Sequence, residues 1–138
     1  MKVVKKGVFP MATILVVDDD ADFQEAQVTL LQAKGYTVIS APDGEQGYQK
    51  AKSHKPDLML LDVMMTHDSE GFDLARKLKE DPATRDIPVI MITGIRKAKK
   101  LPFSFEPDED WLPVKAVLEK PVHPDVLLKH IAEALKKN

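Results

Sequence analysis

The sequence predicts an α/β fold, a parallel sheet with helices on both faces. Short apolar runs of strand length alternate along the chain with segments of helical periodicity. The runs are continuous rather than alternating, as in Leu58-Met59-Leu60-Leu61, so the strands are covered on both sides. Most of the runs also stop at a chemically reactive residue type, which places those residues together at one edge of a parallel sheet.

The chain has 138 residues, 43% hydrophobic and 30% charged, which suits one soluble domain with a real core. A net charge of −2 gives no drive toward nucleic acid or an anionic membrane. With no cysteine, disulfides, thiol catalysis and thiolate metal sites are excluded. No apolar run approaches the roughly 20 residues of a membrane span, and the lysines near the N-terminus precede no apolar signal core, so a cytoplasmic protein is expected. Residues 1–11 read as a flexible N-terminal extension and 12–138 as the folded domain.

Thr13 to Val17 is the first strand, ending in Asp18-Asp19-Asp20. A helix follows from about Ala21 to Lys34, with Phe23, Ala26, Leu30 and Ala33 on its apolar stripe and Gly35 as its stop. Tyr36 to Ser40 is β-branched and alternating, a second strand near an edge. Asp43 opens the second helix, with Gln46 at capping-box spacing, and the helix runs to about Ser53. Pro56 leads into the strand that ends at Asp62. Phe72, Ala75 and Leu78 mark a third helix from about Glu70 to Glu80, closed by Asp81-Pro82. Pro88 to Ile92 is the fourth strand, ending at Thr93-Gly94. In the stretch from Arg96 to Pro113, three prolines forbid a long helix, so an irregular fourth-helix region is expected. Val114 to Leu118 is the fifth strand, ending at Glu119-Lys120-Pro121. Pro124 suits the first turn of the last helix, whose buried face is read as Val126, Leu127, His130, Ile131, Ala134 and Leu135.

The strand ends thus gather three carboxylates (Asp18, Asp19, Asp62), the Thr93 hydroxyl and the Lys120 ammonium. Close carboxylates repel, and Lys120 supplies only one compensating charge. A hard divalent cation with oxygen ligands supplies the rest, and Mg²⁺ is the usual choice beside phosphate. A carboxylate held there can accept a phosphoryl group.

With these residues in place the chain resembles a response-regulator receiver domain of two-component signal transduction. The matching motifs are Ile14-Leu15-Val16-Val17-Asp18-Asp19, Pro56 through Asp62 to Val63-Met64-Met65, Pro88 through Thr93 to Gly94, and Glu119-Lys120-Pro121. The resemblance covers about Ala12 to the C-terminus. It implies a doubly wound five-stranded sheet of flavodoxin-like order 2-1-3-4-5. It implies Asp62 as phosphoacceptor, with Asp18, Asp19, Asp62 and the backbone carbonyl of Met64 as Mg²⁺ ligands. It also implies that Thr93 and Lys120 contact the phosphoryl group. The implied donor is a sensor histidine kinase or a histidine phosphotransfer protein, and the implied output is binding to a downstream protein. Such a receiver catalyses only its own phosphorylation and dephosphorylation, and is not otherwise an enzyme. No nucleic-acid or membrane partner is expected, no output domain fits in the remaining residues, and a homodimer stays open.

The sequence also departs from the family pattern. Thr66 stands where a proline is usual, and Glu70-Gly71 comes one residue late, so the loop after Asp62 is longer. Val117 replaces the usual aromatic three residues before the lysine. The resemblance implies that Met64 and Ile95 flank the path of a hydrolytic water, and neither side chain can orient one.

Three other readings stand beside this one. Asp18, Asp20 and Asp22 mimic the start of an EF-hand loop, but Phe23 and Thr29 fall where glycine and glutamate are required. A small haloacid dehalogenase-type phosphatase would use Asp18 as nucleophile, although no second acidic pair follows Lys120. A degenerate receiver would act only as a binding module. His54, His67, His123 and His130 show no metal-ligand spacing; His123 reads as helping to start the last helix.

Overall fold

The computed structural model describes residues 12–62, 70–93, 114–119 and 122–136. Five strands and four helices fall within them. The strands are β1 (Thr13–Val17), β2 (Thr37–Ala41), β3 (Leu58–Asp62), β4 (Val89–Thr93) and β5 (Ala116–Glu119). The helices are α1 (Ala21–Ala33), α2 (Gly44–His54), α3 (Glu70–Glu80) and α4 (Pro124–Leu135). The strands form one sheet in the order β2-β1-β3-β4-β5, with every neighbouring pair parallel. β2 is an edge strand, as its half-exposed, alternating sequence indicates. The expected region from Arg96 to Pro113 lies outside the described residues.

Alternation along each strand divides the core into two layers. Leu15, Val17, Met59, Leu61 and Met91 face α2 and α3 through Ala51, Leu74, Ala75 and Leu78. Ile14, Val16, Leu58, Leu60, Ile90 and Ile92 face α1 and α4 through Leu31, Leu127 and Ile131. β3 is buried along its whole length, which is why its sequence is an unbroken apolar run. Val117 packs against the α2–α3 layer.

Local chemistry fixes the helix ends. Asp20 caps α1, its side chain accepting from the backbone N–H of Asp22 and Phe23, both at 3.1 Å. At the other end Gly35 takes φ 96°, its N–H donates to Gln32 O and the N–H of Tyr36 reaches back to Leu31 O, the pairing of a Schellman stop. Asp43 caps α2 through the Gln46 N–H at 2.8 Å. Gln46 shows no capping-box bond among the described residues: its side-chain nitrogen donates to the Asp43 carboxylate at 3.4 Å, where a capping box would have its oxygen accept from the Asp43 backbone N–H. His123 caps α4, Nδ1 accepting from Asp125 N at 3.1 Å.

Two helix faces differ from the sequence expectation. On α1, Ala26 and Ala33 are exposed, and the buried face instead carries Gln27 and Leu31, with Phe23 and Leu30 beside them. On α4, Val126 is 45% exposed, while Leu128 packs on the core with Leu127 and Ile131. Val126-Leu127-Leu128 sweeps about 200° of helix, so only part of it can face the sheet. Strand boundaries shift by one or two residues: β2 ends at Ala41, β4 reaches Thr93, and Val114 packs in the core ahead of β5.

Candidate phosphoacceptor site

β1 and β3 are neighbours in register, Val16 opposite Leu60 and Val17 opposite Leu61. The next residue on each chain is an aspartate, Asp18 and Asp62. Both continue the alternation of Ile14, Val16, Leu58 and Leu60, so both belong to the α1 side of the sheet. Asp18 is 2% exposed and Asp62 4%, whereas Asp19 is exposed. One carboxylate oxygen from each of the three lies within 4.8 Å of the others. Among the described residues the site is therefore a buried acidic pair beside an exposed third carboxylate.

The end of β1 is held firmly. The Asp18 N–H donates to Ala41 O at 3.1 Å, extending the β1–β2 ladder by one residue. The Asp18 side chain then bends back, Oδ1 accepting from the Asp20 N–H at 2.9 Å. Asp20, the third carboxylate in the sequence run, is used in capping α1, which argues against the EF-hand arrangement. Sequence reasoning missed Gln24. Its side-chain Nε2 donates to Ala41 O at 2.8 Å and lies 3.3 Å from both Val16 O and Asp18 O. The one signal available was a pair of glutamines, Gln24 and Gln27, on the sheet-facing side of α1.

Thr93 ends β4, with Asp62 beside Ile92 and Thr93 beside Glu119 in register. The backbone of Thr93 is thus at the same sheet edge as Asp62. Its hydroxyl, the whole of Lys120 and Met64, and also His67 and Ile95, lie outside the described residues. A groove of about 1250 Å³ lined by Ala12, Tyr36, Asp57, Pro88, Lys115 and Leu135 sits at the opposite, N-terminal edge of the strands, away from the acidic cluster.

Three hard oxygen donors, two of them on buried residues, within 4.8 Å of one another are a donor set that fits a divalent cation such as Mg²⁺. Residues 14–132 match the family model of the response regulator receiver domain. The chain belongs to that family. Among relatives of this receiver domain, protein PilH of Pseudomonas aeruginosa is 34% identical over 128 residues, covering 91% of this chain and 98% of PilH. The response regulator PleD of Caulobacter vibrioides is 49% identical over 88 residues, 61% of this chain and 18% of PleD. The phosphate regulon transcriptional regulatory protein PhoB of Pseudomonas aeruginosa is 44% identical over 82 residues, 59% of this chain and 35% of PhoB. The chain therefore spans well under half the length of PleD and PhoB. Among solved structures, a CheY-like receiver domain protein from Methanospirillum hungatei superimposes with a TM-score of 0.73 at 28% identity, covering 91% of this chain and 94% of the other. The chemotaxis response regulator CheY4 of Vibrio cholerae gives 0.73 at 26% identity, with 90% and 98% covered. Among the described residues no helix is long and apolar enough to cross a membrane.

Proposed function

We propose that this receiver domain is a phosphoryl-accepting switch, with Asp62 taking a phosphoryl group from a sensor histidine kinase or a histidine phosphotransfer protein. The observation that carries this reading is the buried Asp62 carboxylate at the end of β3, within 4.8 Å of Asp18 and Asp19. Asp18, Asp19 and Asp62, with the backbone carbonyl of Met64, would hold Mg²⁺. Bound there, the ion offsets the crowded carboxylate charge and that of the phosphoryl oxygens.

In the transfer an Asp62 oxygen attacks phosphorus from the side opposite the donor. The new O–P bond forms as the P–N bond to the donor imidazole breaks, and the imidazole leaves with the electron pair. The Thr93 hydroxyl donates to a phosphoryl oxygen, and the Lys120 ammonium balances its charge. Asp18 and Asp19 do not react; they fix the charge pattern Asp62 works in. The acyl phosphate carries about −1.5 to −2 charges where the Asp62 carboxylate carried one, a net gain of roughly −0.5 to −1 at the sheet edge. The output is a changed surface read by a downstream protein.

Incubation with acetyl phosphate and Mg²⁺, followed by intact mass measurement, tests this. Wild type gains one phosphoryl group and Asp62→Asn gains none. A gain that survives Asp62→Asn and is abolished by Asp18→Asn would assign the nucleophile to Asp18 and overturn the proposal in favour of phosphatase-type chemistry.

A further inference from the structure

We infer that Gln24 is a positioning residue for the acidic site: its side-chain amide sets the backbone turn that carries Asp18 and Asp19. This rests on the reading of the cluster as a Mg²⁺ site. Gln24 sits in the first turns of α1, and its Nε2 meets three backbone carbonyls, Ala41 O at 2.8 Å and Val16 O and Asp18 O at 3.3 Å. An amide nitrogen has two hydrogens. One serves Ala41 O, and the other is shared between Val16 O and Asp18 O. Ala41 O also accepts the Asp18 N–H, so a single side chain ties α1 to the ends of both β1 and β2 where the ladder stops.

The tie also closes a loop. The Gln24 backbone N–H donates to Asp20 O at 2.9 Å, and the Asp20 N–H donates to Asp18 Oδ1 at 2.9 Å. Gln24 therefore brackets Asp18-Asp19-Asp20 from both ends, through its side chain at Asp18 O and through its backbone at Asp20 O. Asp19 is exposed and lies between those two points, so its carboxylate inherits its direction from this bracket. A carbonyl beyond the last ladder bond takes whatever donor is present. Here the donor comes from the helix, and it fixes the geometry of two ligand candidates without touching an ion.

The test compares Gln24→Met, nearly the same shape without the donor, with Gln27→Met, the same change one turn along a sheet-facing side of the same helix. Mg²⁺ affinity by calorimetry and thermal melting without Mg²⁺ are measured on both and on wild type. Gln24→Met is expected to weaken Mg²⁺ binding by about 10-fold, the usual effect of losing a hydrogen bond that orients a ligand. Gln27→Met is expected to leave it unchanged. A purely structural role would lower melting and spare affinity. In the unmutated protein, the Gln24 side-chain amide NMR signals are expected to shift along the Mg²⁺ titration while those of Gln27 stay still, a measurement that needs no variant to fold. Wild-type binding matched by Gln24→Met, or Gln24 signals that ignore Mg²⁺, overturns the role of Gln24 alone. No Mg²⁺ binding by wild type overturns the metal reading and this inference with it.

Discussion

Gly47 lies where α2 crosses β1. A Cβ there would stand 2.8 Å from Val17 Cγ2 and 3.1 Å from Cγ1, so glycine is what lets the helix seat on the strand. Alanine would gain about 1 kcal/mol of helix propensity. It would lose roughly 1–3 kcal/mol to overpacking against a β-branched side chain in the closed core. The expected outcome for Gly47→Ala is a net loss of about 1 kcal/mol, read from the urea midpoint. A variant more stable than wild type would show that Val17 yields freely. At this scale the sequence exposed the carboxylates, because an aspartate that ends a buried strand has no packing reason to be there. It hid Gln24 and Gln27, because a polar residue on a helix reads as surface wherever it points. Gln27 is 8% exposed and its Oε1 has no hydrogen-bond partner among the described residues, a placement no hydrophobic pattern predicts.

α2 and the turn after α3 are joined by a polar tie with its own pH signature. The Tyr48 hydroxyl donates to Asp81 Oδ2, while Asp81 Oδ1 accepts from the Ala83 N–H at 2.8 Å. Lys52 lies 3.9 Å from Asp81, and Lys77 sits 4.3 Å from the Tyr48 ring centre. The Tyr48 hydrogen bond, then the Ala83 N–H and Lys52, hold the Asp81 carboxyl below its usual 3.8 against a smaller opposing effect of burial. The bond to Asp81, with burial and the carboxylate charge, pushes Tyr48 above its usual 10.0. A depressed acid stabilises the fold above its unfolded value and loses that contribution as pH falls through the folded one. A raised phenol stabilises below its unfolded value and loses its contribution as pH rises through the folded one. Tyr48→Phe should therefore flatten the stability profile both below about pH 4 and above about pH 10, measured by urea midpoints. Unchanged slopes would mean the tie contributes nothing. The end of α2 offers a second test. Lys55 takes φ 46° as C-cap, the left-handed conformation that glycine occupies freely. Lys55→Gly should raise stability by about 0.5–1 kcal/mol on denaturant titration, and a loss would mean that its side chain contributes more than the backbone strain costs. Helix existence was legible from caps and stops such as Asp43, Gly35 and Pro124. Helix rotation was not. Alanines such as Ala26 and Ala33 fit either face, and a run such as Val126-Leu127-Leu128 spans both.

The sheet order of the whole molecule follows from the same logic that collects the site. Right-handed crossovers put α1 on one face and α2 and α3 on the other, α4 folds back after β5 onto the α1 face, and the strand ends with carboxylates become neighbours. That the strands are parallel was legible from their unbroken apolar runs. Their order came only from likeness to a family, because periodicity carries no information on which strands pair. Bringing the carboxylates together has a cost that the rest of the fold must carry. Charges about 5 Å apart at an effective dielectric of about 20 repel by roughly 3 kcal/mol per pair, less where solvent screens the exposed partner. Asp18 and Asp62 are both buried, so their pair is the least screened. Asp62→Asn removes the charge shared by two of the three pairs and keeps a side chain that hydrogen-bonds. Without Mg²⁺ the variant should be more stable than wild type by about 1–2 kcal/mol. Millimolar Mg²⁺ should then raise the melting temperature of wild type, because an ion that binds only the folded state adds its binding free energy to stability. The variant, with one ligand charge fewer, should respond weakly, so the gap between the two proteins narrows as Mg²⁺ is added. Thermal denaturation of both across a Mg²⁺ series reads this directly. A variant that melts below wild type without Mg²⁺, or that gains as much from Mg²⁺ as wild type does, would show that charge crowding at Asp18, Asp19 and Asp62 does not limit stability.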